Sequence, residues 1–497
     1  MRDYSSNEST SAPALDTLFA LALSCAACLV YFGTLARRFA FDGPQLASAF
    51  ALDPEALHWH LLYMPLARAV GQLSGSTDPF GPLLSVSPIA TAVGIGASWL
   101  IVRNLGHSRL IATLAVAAIG SARNTWLFAS TVEVHSVHFA VVSLAALGIL
   151  RAPWQRPRIA LAIAAPLVAA TWTSHASAVL MLPGWIAWAA LARARSGSRP
   201  FTLPTLSAVV APALGLAMAI VAVPARYFFH REAGLPIDVR LVSTYAAEGN
   251  TLEFLREGLI EPMGPVALAA LFGWWRARST RVGLSLVWMA APALAFFSWW
   301  GIPEGGGYFV GYGCFFALAI SEALRGLRLP LLALASTAIA VQAIGTRAML
   351  SEFDASLDPA VRSSIAEELM DADPVPDGAT SIGTVAFLAP SLTITDPRFE
   401  ELDLIRPLLS GWRAGSPPQQ LVATLRPLLE QELETRTVLL DLTDPGETWN
   451  HVDPAFQAYV RDFMGQLLEV FPHERVTRGG WTFVRLQRTR STETAAR

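Results

Sequence analysis

The side chains best suited to chemistry stand in or beside long apolar stretches of the chain. An ionisable group in such a stretch is costly, so each one is a hypothesis for a functional site. The first is Asp42, in Phe41-Asp42-Gly43, soon after the first apolar stretch. A carboxylate held there could take a proton as a general base or bind a metal ion. The alternative is a solvated aspartate or a helix cap before Pro44.

A histidine pair follows Asp42 in the same region of the chain. His58 and His60 flank Trp59, and Tyr63 comes three residues later. Histidines two residues apart do not share a helix face, so a joint metal site would need an extended backbone. Otherwise these are amphipathic side chains at a membrane interface.

The segment Thr131–His138 combines a carboxylate with two imidazoles. His135 and His138 share one helix face, whereas Glu133 does not lie on it. A divalent metal could be held by Glu133 with His135, His138 or His175, although the spacing is not specific for a metal. The alternative for Glu133 is a buried ion pair with Arg123.

Two further segments interrupt or join apolar stretches. Ser174-His175 breaks one long apolar run, either as part of a site or as a polar turn that bonds its own backbone. The second segment carries aromatic faces suited to sugars and one carboxylate, and its glycines let backbone approach a ligand closely. Tandem Trp at the end of a span is also typical of an interfacial belt. Its candidate residues are Trp299, Trp300, Glu304 and Tyr308.

The elements that must position these groups are membrane helices. A spanning helix needs roughly 20 apolar residues, and the sequence predicts about eleven spans. They lie at 14–35, 82–102, 109–126, 133–150, 158–173, 175–192, 203–224, 259–275, 282–300, 307–324 and 329–347.

Charge fixes the predicted topology of these spans. Five short loops carry Arg and no Asp or Glu, which places them in the cytoplasm by the positive-inside rule. These loops are Arg103–Arg109, Arg151–Arg158, Arg193–Arg199, Arg276–Arg281 and Arg325–Arg328. The N-terminus is then cytoplasmic, and the acidic loops and candidate groups face outward. Arg37 and Arg38 are the exception, and they either snorkel or bind lipid phosphate.

Composition divides the chain into two regions. Of its 497 residues 53% are hydrophobic and only 15% are charged, and the charge deficit is confined to the first two thirds. We therefore predict a mostly α-helical membrane domain over 1–349, with outer loops at 37–81 and 226–258. A small soluble α/β domain is predicted over 350–497, on the outer side. A net charge of −3 and the lack of a basic tract argue against a nucleic-acid partner.

Helical and strand patterns alternate in the C-terminal region. It contains no glycine-rich phosphate loop, nucleophile elbow or Cys/His metal spacing, so we expect a binding or positioning module. The predicted helices are Asp358–Met370, Pro417–Glu434 and Pro454–Phe471, and the predicted strands are Ser381–Phe387, Thr437–Leu442, Arg475–Thr477 and Trp481–Leu486.

Three segments of the membrane region resemble polytopic glycosyltransferases of the GT-C fold, in particular the protein O-mannosyltransferase-like family. Phe41–Leu46 with His58–Tyr63 is similar to that family's first outer loop, which has an Asp and then a His- and Tyr-containing stretch. Trp126–Ser136 is similar to its Glu-Val motif, and Thr173–Pro183 to its His-then-Leu-Pro helix.

The resemblance implies a sugar donor linked to polyprenyl phosphate and an inverting transfer, on the outer face, to a hydroxyl of a protein, glycan or lipid. It implies that Asp42 is the base, with Glu133 and His175 completing the site. His58, His60 and Tyr63 would then lie near the donor, whose phosphate could be bound by Arg37, Arg38, Arg123 and Arg226. A groove open to membrane lipid must admit the prenyl chain.

The sequence therefore predicts a membrane glycosyltransferase of a bacterial inner membrane. One alternative is a transporter or lipid flippase, which would show an internal repeat and ionisable groups along both half-paths. We find no repeat, and the acids cluster on one face. The other alternative is a non-catalytic scaffold that displays the C-terminal domain.

Overall fold

The computed structural model describes residues 13–35, 46, 50, 62–75, 80–197, 251–300, 304–350, 380–384, 399–404, 407–408, 411–412, 415–441, 454–478 and 481–488. Several predictions concern residues outside these ranges. They are the predictions for Arg37, Arg38, Asp42, His58, His60, Arg226, the span 203–224 and the helix Asp358–Met370. The side chains of Trp300 and Glu304 lie outside them as well.

The chain divides into two compact units, with the main boundary between Phe353 and Asp354. In its described residues the first unit is helical. Its long helices are α1 (Pro13–Phe32), α2 (Tyr63–Ser74), α3 (Phe80–Asn104), α4 (Arg109–Gly120), α5 (Arg123–Ser130), α6 (His135–Arg151), α7 (Pro157–Ser174), α8 (Leu182–Arg195), α9 (Pro265–Ala277), α10 (Arg281–Trp300), α11 (Gly313–Leu324) and α12 (Leu329–Leu350). Shorter turns are Ala176–Met181, Thr251–Phe254, Leu255–Ile260, Glu261–Met263, Glu304–Gly306 and Gly307–Val310.

The predicted spans fall on helices wherever the structure describes them. Within that part of the chain, 5 helices are long and apolar enough to cross a membrane. The bent pair α4 and α5 would make a sixth. The count of about eleven crossings stays a prediction, because it depends on shorter helices and on the stretch 203–224.

Several predicted spans are not single straight helices. The span 109–126 bends by 67° between α4 and α5, at Ser121-Ala122. The span 259–275 is interrupted at Gly264, whose φ of 57° only glycine adopts readily. The span 307–324 is broken after Val310, and 175–192 begins as a 3₁₀ turn. Apolar length alone does not locate these breaks, because it is insensitive to how a helix bends.

Helices α3 and α6 pack along their length through small polar side chains. The Thr91 hydroxyl donates to Ser136 Oγ at 2.9 Å, and Ser98 and Ser143 meet at 3.3 Å. A Cβ at Gly94 would lie 2.6 Å from the Phe139 ring, so the glycine allows close approach. Small residues and interhelical hydrogen bonds of this kind drive helix association in membranes.

Arginine loops predicted to be cytoplasmic meet at one end of this helical unit. Asp16, in the first turn of α1, accepts from Arg103 at 3.0 Å and from Arg109 at 2.8 Å. Arg195 donates to Asn104 O at 2.7 Å. The start of α1, the loop after α3 and the end of α8 therefore lie together.

The remaining arginine loops lie at the same end. Glu322 pairs with His107 at 3.1 Å and with Arg325 at 3.7 Å. Arg276 donates to Ala323 O at 2.9 Å, and Gln155 donates to Ser196 O at 3.3 Å. The loops themselves lack acids, but α1 and α11 supply one carboxylate each to balance their charge.

The second unit contains a five-stranded sheet in its described residues. Its strands are β1 (Thr380–Thr384), β2 (Phe399–Asp403), β3 (Thr437–Asp441), β4 (His473–Arg478) and β5 (Trp481–Leu486), in the order β2-β1-β3-β5-β4. Strand β1 runs parallel to β2 and β3, with Ile382 beside Leu439. Strand β5 runs antiparallel to β3 and β4, with Val476 opposite Phe483.

Two amphipathic helices supply the core of this unit. Helices α13 (Pro418–Thr435) and α14 (Pro454–Val470) bury leucine and aromatic side chains at helical spacing, including Leu425, Leu429, Phe463 and Leu467. The predicted strands around Gly479-Gly480 and at 437–442 form, whereas β2 was not predicted. Its sequence, Phe-Glu-Glu-Leu-Asp, is too acidic to carry a strand signal.

Candidate functional site

Three buried imidazoles meet at one end of the helical unit. His135 and His138 stand one turn apart on α6, and the His175 ring lies between them. Its centroid is 5.0 Å from that of His135 and 5.2 Å from that of His138, with interplanar angles of 33° and 37°. The shared face predicted for His135 and His138 therefore carries a third histidine from another element.

The break at His175 positions its ring. The residue is extended, at φ −162° and ψ 134°, between α7 and the 3₁₀ turn. Its Nδ1 accepts from the Ser177 backbone N–H at 3.1 Å and contacts Ser177 Oγ at 2.7 Å. Because Nδ1 accepts a hydrogen bond, the proton of the neutral ring lies on Nε2. The local polar turn considered for this segment forms, and it also fixes the tautomer.

His138 is held by the residue before His175. Its Nδ1 lies 2.8 Å from Ser174 Oγ, and Ser174 donates its own proton to Thr171 O at 2.7 Å. His138 Nδ1–H therefore donates to Ser174, and Nε2 carries the lone pair. That Nε2 atom is buried, without a hydrogen-bond partner among the described residues.

Glycines of the Gly307–Gly313 segment make room for these histidines. A Cβ at Gly307 would lie 2.6 Å from His135 Nε2, and one at Gly311 would lie 2.1 Å from His138 Cδ2. The small-x-x-x-small spacing thus lets backbone pack directly on imidazole. The glycines around Gly305–Gly307 were expected to let backbone approach a ligand closely. In the structure, Gly307 and Gly311 let backbone approach the side chains of His135 and His138.

Aromatic rings cover the other side of the cluster. The Tyr308 ring meets His135 and His175 edge-on at 5.9 and 6.2 Å, and it stacks on Phe297 at 4.2 Å. Phe128 meets His135 edge-on at 4.8 Å. Trp299 is 49% exposed and its described ring contact is with Phe296, so it stands apart from the cluster.

Glu133 and Tyr63 form a second buried polar group on neighbouring elements. Glu133 is 1% exposed, and its Oε1 accepts from the Val134 N–H at 3.0 Å. Ser87 donates to Glu133 O at 3.2 Å, and Tyr63 donates to Leu83 O at 2.9 Å. Burial raises the pKa of the Tyr63 phenol, and the charge of Glu133 adds to the rise, so Tyr63 acts as a neutral donor.

The ion pair considered between Glu133 and Arg123 does not form. Arg123 is exposed at the start of α5, whereas Glu133 is buried. The buried neighbour of Arg123 is Asn124, whose amide donates to Gly306 O at 3.2 Å. Asn124 thus ties α5 to the glycine segment beside Tyr308. Sequence reasoning missed this residue, because one asparagine in an apolar stretch has no distinctive spacing.

The predicted metal ligands are not gathered into one group. Among the described residues, no set of three or more His, Cys, Asp or Glu side chains is placed to hold a metal ion. Glu133, His135 and His138 are thus neighbouring polar residues that are not arranged to coordinate one metal ion. His135 and His138 pack against His175 and the glycine segment, whereas the Glu133 carboxylate accepts from the Val134 backbone N–H.

The cluster lies at the end of the helices opposite the arginine loops. Helix α6 begins at His135 and ends at Arg151, and α7 begins at Pro157 and ends at Ser174. Along α3, Ser87 and Arg103 are about 24 Å apart at 1.5 Å per residue. This end gathers donors, lone pairs and aromatic faces, which are groups that can position a phosphate or a sugar.

Two solved structures are similar to nearly the whole chain. ArnT from Cupriavidus metallidurans bound to undecaprenyl phosphate matches with a TM-score of 0.63 and 15% identity, over 95% of this chain and 98% of that one. The apo state of the same ArnT matches with a TM-score of 0.59 and 13% identity, over the same shares. No family model and no curated protein sequence matches the chain. The likeness shows that this chain has the mostly helical GT-C fold.

Proposed function

We propose that the protein is a membrane glycosyltransferase that moves a sugar from a polyprenyl-phosphate donor to a hydroxyl acceptor. The observation that carries this proposal is the likeness, over nearly both whole chains, to ArnT bound to undecaprenyl phosphate. The polar cluster at one end of the helices agrees with it, because a transferase needs such groups where donor and acceptor meet.

The proposed reaction is an inverting displacement. The acceptor oxygen attacks the anomeric carbon, the bond from that carbon to the phosphate oxygen breaks, and polyprenyl phosphate leaves. The acceptor proton passes to Asp42 as general base. The candidates to stabilise the leaving phosphate are Arg37, Arg38, Arg123 and Arg226.

The site is proposed to face the outside of a bacterial inner membrane. The arginine loops would lie in the cytoplasm with the N-terminus, and the C-terminal unit would lie in the periplasm, as a module that binds or positions the acceptor. Tyr308 would supply a sugar platform, with Trp299, Trp300 and Glu304 close to it in sequence. The proposed acceptor is a hydroxyl of a protein or glycan, as in the O-mannosyltransferase-like family, or a hydroxyl of a lipid.

The proposal is tested on purified protein in nanodiscs with a panel of polyprenyl-phosphate sugars. Asp42→Asn should reduce donor consumption by about 10²–10⁴-fold, the usual contribution of general-base catalysis. Asp53→Asn, in the same predicted outer loop, is the matched control and should leave the rate unchanged. Equal rates for wild type and Asp42→Asn would move the base elsewhere. Donor transport across the bilayer without cleavage would favour a flippase.

A further inference from the structure

An arginine–aromatic stack of four side chains stands where α9 ends, beside the arginine loops. The rings of Phe272 and Trp275 stack with their centroids 5.9 Å apart and their planes at 25°. The Arg276 guanidinium lies over Phe272, with Cζ 6.0 Å from the ring centroid, and the Arg278 guanidinium lies over Trp275 at 4.4 Å. One pair of rings therefore holds two cations through cation–π contacts.

Backbone hydrogen bonds fix both guanidinium groups of the stack further. Arg276 Nη1 donates to Ala323 O of α11 at 2.9 Å, and Arg278 Nη1 donates to Trp275 O at 2.7 Å. A guanidinium group has five N–H donors, so one such bond leaves several donors for a ligand. The side chains are thus oriented before a ligand binds, which lowers the entropy cost of binding.

The charge of the stack is not balanced by a neighbouring carboxylate. Neither of its arginines forms an ion pair with a described residue, and the loop Arg276–Arg281 has no acid of its own. At the same end of the helices, by contrast, Asp16 pairs with both Arg103 and Arg109. Two neighbouring cations without a carboxylate attract an anionic ligand.

The stack continues into an exposed apolar stripe along α9. Leu268, Leu271, Phe272 and Trp275 recur at helical spacing and are all exposed, Trp275 by 58%. Exposed apolar side chains on a membrane helix contact hydrocarbon. A ligand that contacts both the stripe and the two guanidinium groups therefore needs an acyl chain as well as an anionic group.

We propose that the arginine–aromatic stack binds the phosphate of an anionic phospholipid of the surrounding bilayer, with an acyl chain along the stripe of α9. A planar guanidinium group matches two phosphate oxygens, which suits the phosphodiester of such a lipid. An interfacial belt would account for the rings, but it would give no preference for anionic over zwitterionic lipids. The site is separate from the proposed transfer site, because it lies at the end of the helices opposite the histidine cluster.

Native mass spectrometry of the full-length, delipidated protein tests this site. The protein is titrated with equal amounts of phosphatidylglycerol and phosphatidylcholine of the same chain length, and the ratio of the two is measured for the first lipid bound. Wild type should prefer phosphatidylglycerol, and Arg278→Ala should lower that preference about five-fold, the effect of one arginine near a lipid surface. Arg158→Ala is the matched control and should leave the ratio unchanged, because Arg158 is an exposed arginine at the same end without a described ring contact.

A second variant separates the stack from net charge. Trp275→Leu keeps an apolar residue on the stripe and the charge of the protein, but it removes the ring under Arg278, so the preference should fall about two- to five-fold. Equal losses in Arg278→Ala and Arg158→Ala would show attraction by net charge alone and would overturn the site. A wild type without preference would overturn it as well. Displacement of phosphatidylglycerol by glycerol phosphate would identify a soluble anion as the ligand, and stronger binding of undecaprenyl phosphate that Arg278→Ala abolishes would identify the donor. Either result would contradict a bilayer phospholipid.

Discussion

At the scale of single residues, the cluster depends on glycines as much as on histidines. His138 fits because Gly311 has no side chain, and His135 fits because of Gly307. Ser174 then fixes the tautomer of His138, while Ser177 fixes that of His175. The orientations and tautomers of the His138 and His175 imidazoles are thus fixed without a ligand, as in a preorganised site.

Replacing Gly311 with Ala should therefore destabilise the protein. Its Cβ would lie 2.1 Å from His138 Cδ2, so the ring or the backbone must move. Overpacking of this kind costs about 1–3 kcal/mol. Gly345→Ala is the control, because nothing lies within 4 Å of a Cβ there and α12 should gain helix propensity. Thermal unfolding of the purified protein measures both, and equal melting temperatures would contradict the packing described.

At the scale of elements, the arginine loops are tied together through neighbouring helices. Asp16 joins α1 to both ends of the loop between α3 and α4, and its side chain is 13% exposed. Partly buried charge-assisted bonds are worth more than surface pairs. This contact therefore sets how the first helix packs at the end opposite the histidines.

Asp16→Asn should cost about 1.5–3 kcal/mol, the usual value of hydrogen bonds to charged groups. The control is Glu430→Gln on α13, which breaks an exposed pair with Arg426. An exposed pair at this spacing contributes about 0.3–0.5 kcal/mol. Denaturant unfolding of both variants tests the difference. A loss no larger for Asp16→Asn than for the control would mean that the ion pairs do not hold α1.

The elements also show what a sequence can and cannot predict here. Apolar length located the helices, and alternation located β3, β4 and β5, because both signals are local. The bend at Ser121-Ala122 depends on packing between helices, so no local sequence pattern predicts it. The shared face of His135 and His138 was readable from spacing, but His175 joins them from a different helix. Asn124 was missed for the same reason.

At the scale of the whole molecule, the polar cluster and the arginine loops mark opposite ends of the helical unit. Charge asymmetry of this kind orients a membrane protein. We therefore propose that the arginine end lies in the cytoplasm and the C-terminal unit outside.

Labelling of single cysteines in intact cells tests that orientation. In a background without Cys25, Cys28 and Cys314, a membrane-impermeant maleimide should label Thr435→Cys in the C-terminal unit. It should not label Arg278→Cys, in an arginine loop, until the membrane is opened. Both positions are exposed. Labelling in the reverse order would invert the topology and move the proposed reaction to the other face.

The most direct test of the central proposal is transfer by the purified wild-type protein. A polyprenyl-phosphate donor carrying a radiolabelled sugar is incubated with the protein in nanodiscs and a panel of protein, glycan and lipid acceptors. We expect the label to leave the lipid and to appear on an acceptor with inverted anomeric configuration, with one polyprenyl phosphate released per sugar transferred. Folded protein that neither binds nor consumes any donor in the presence of these acceptors would contradict it.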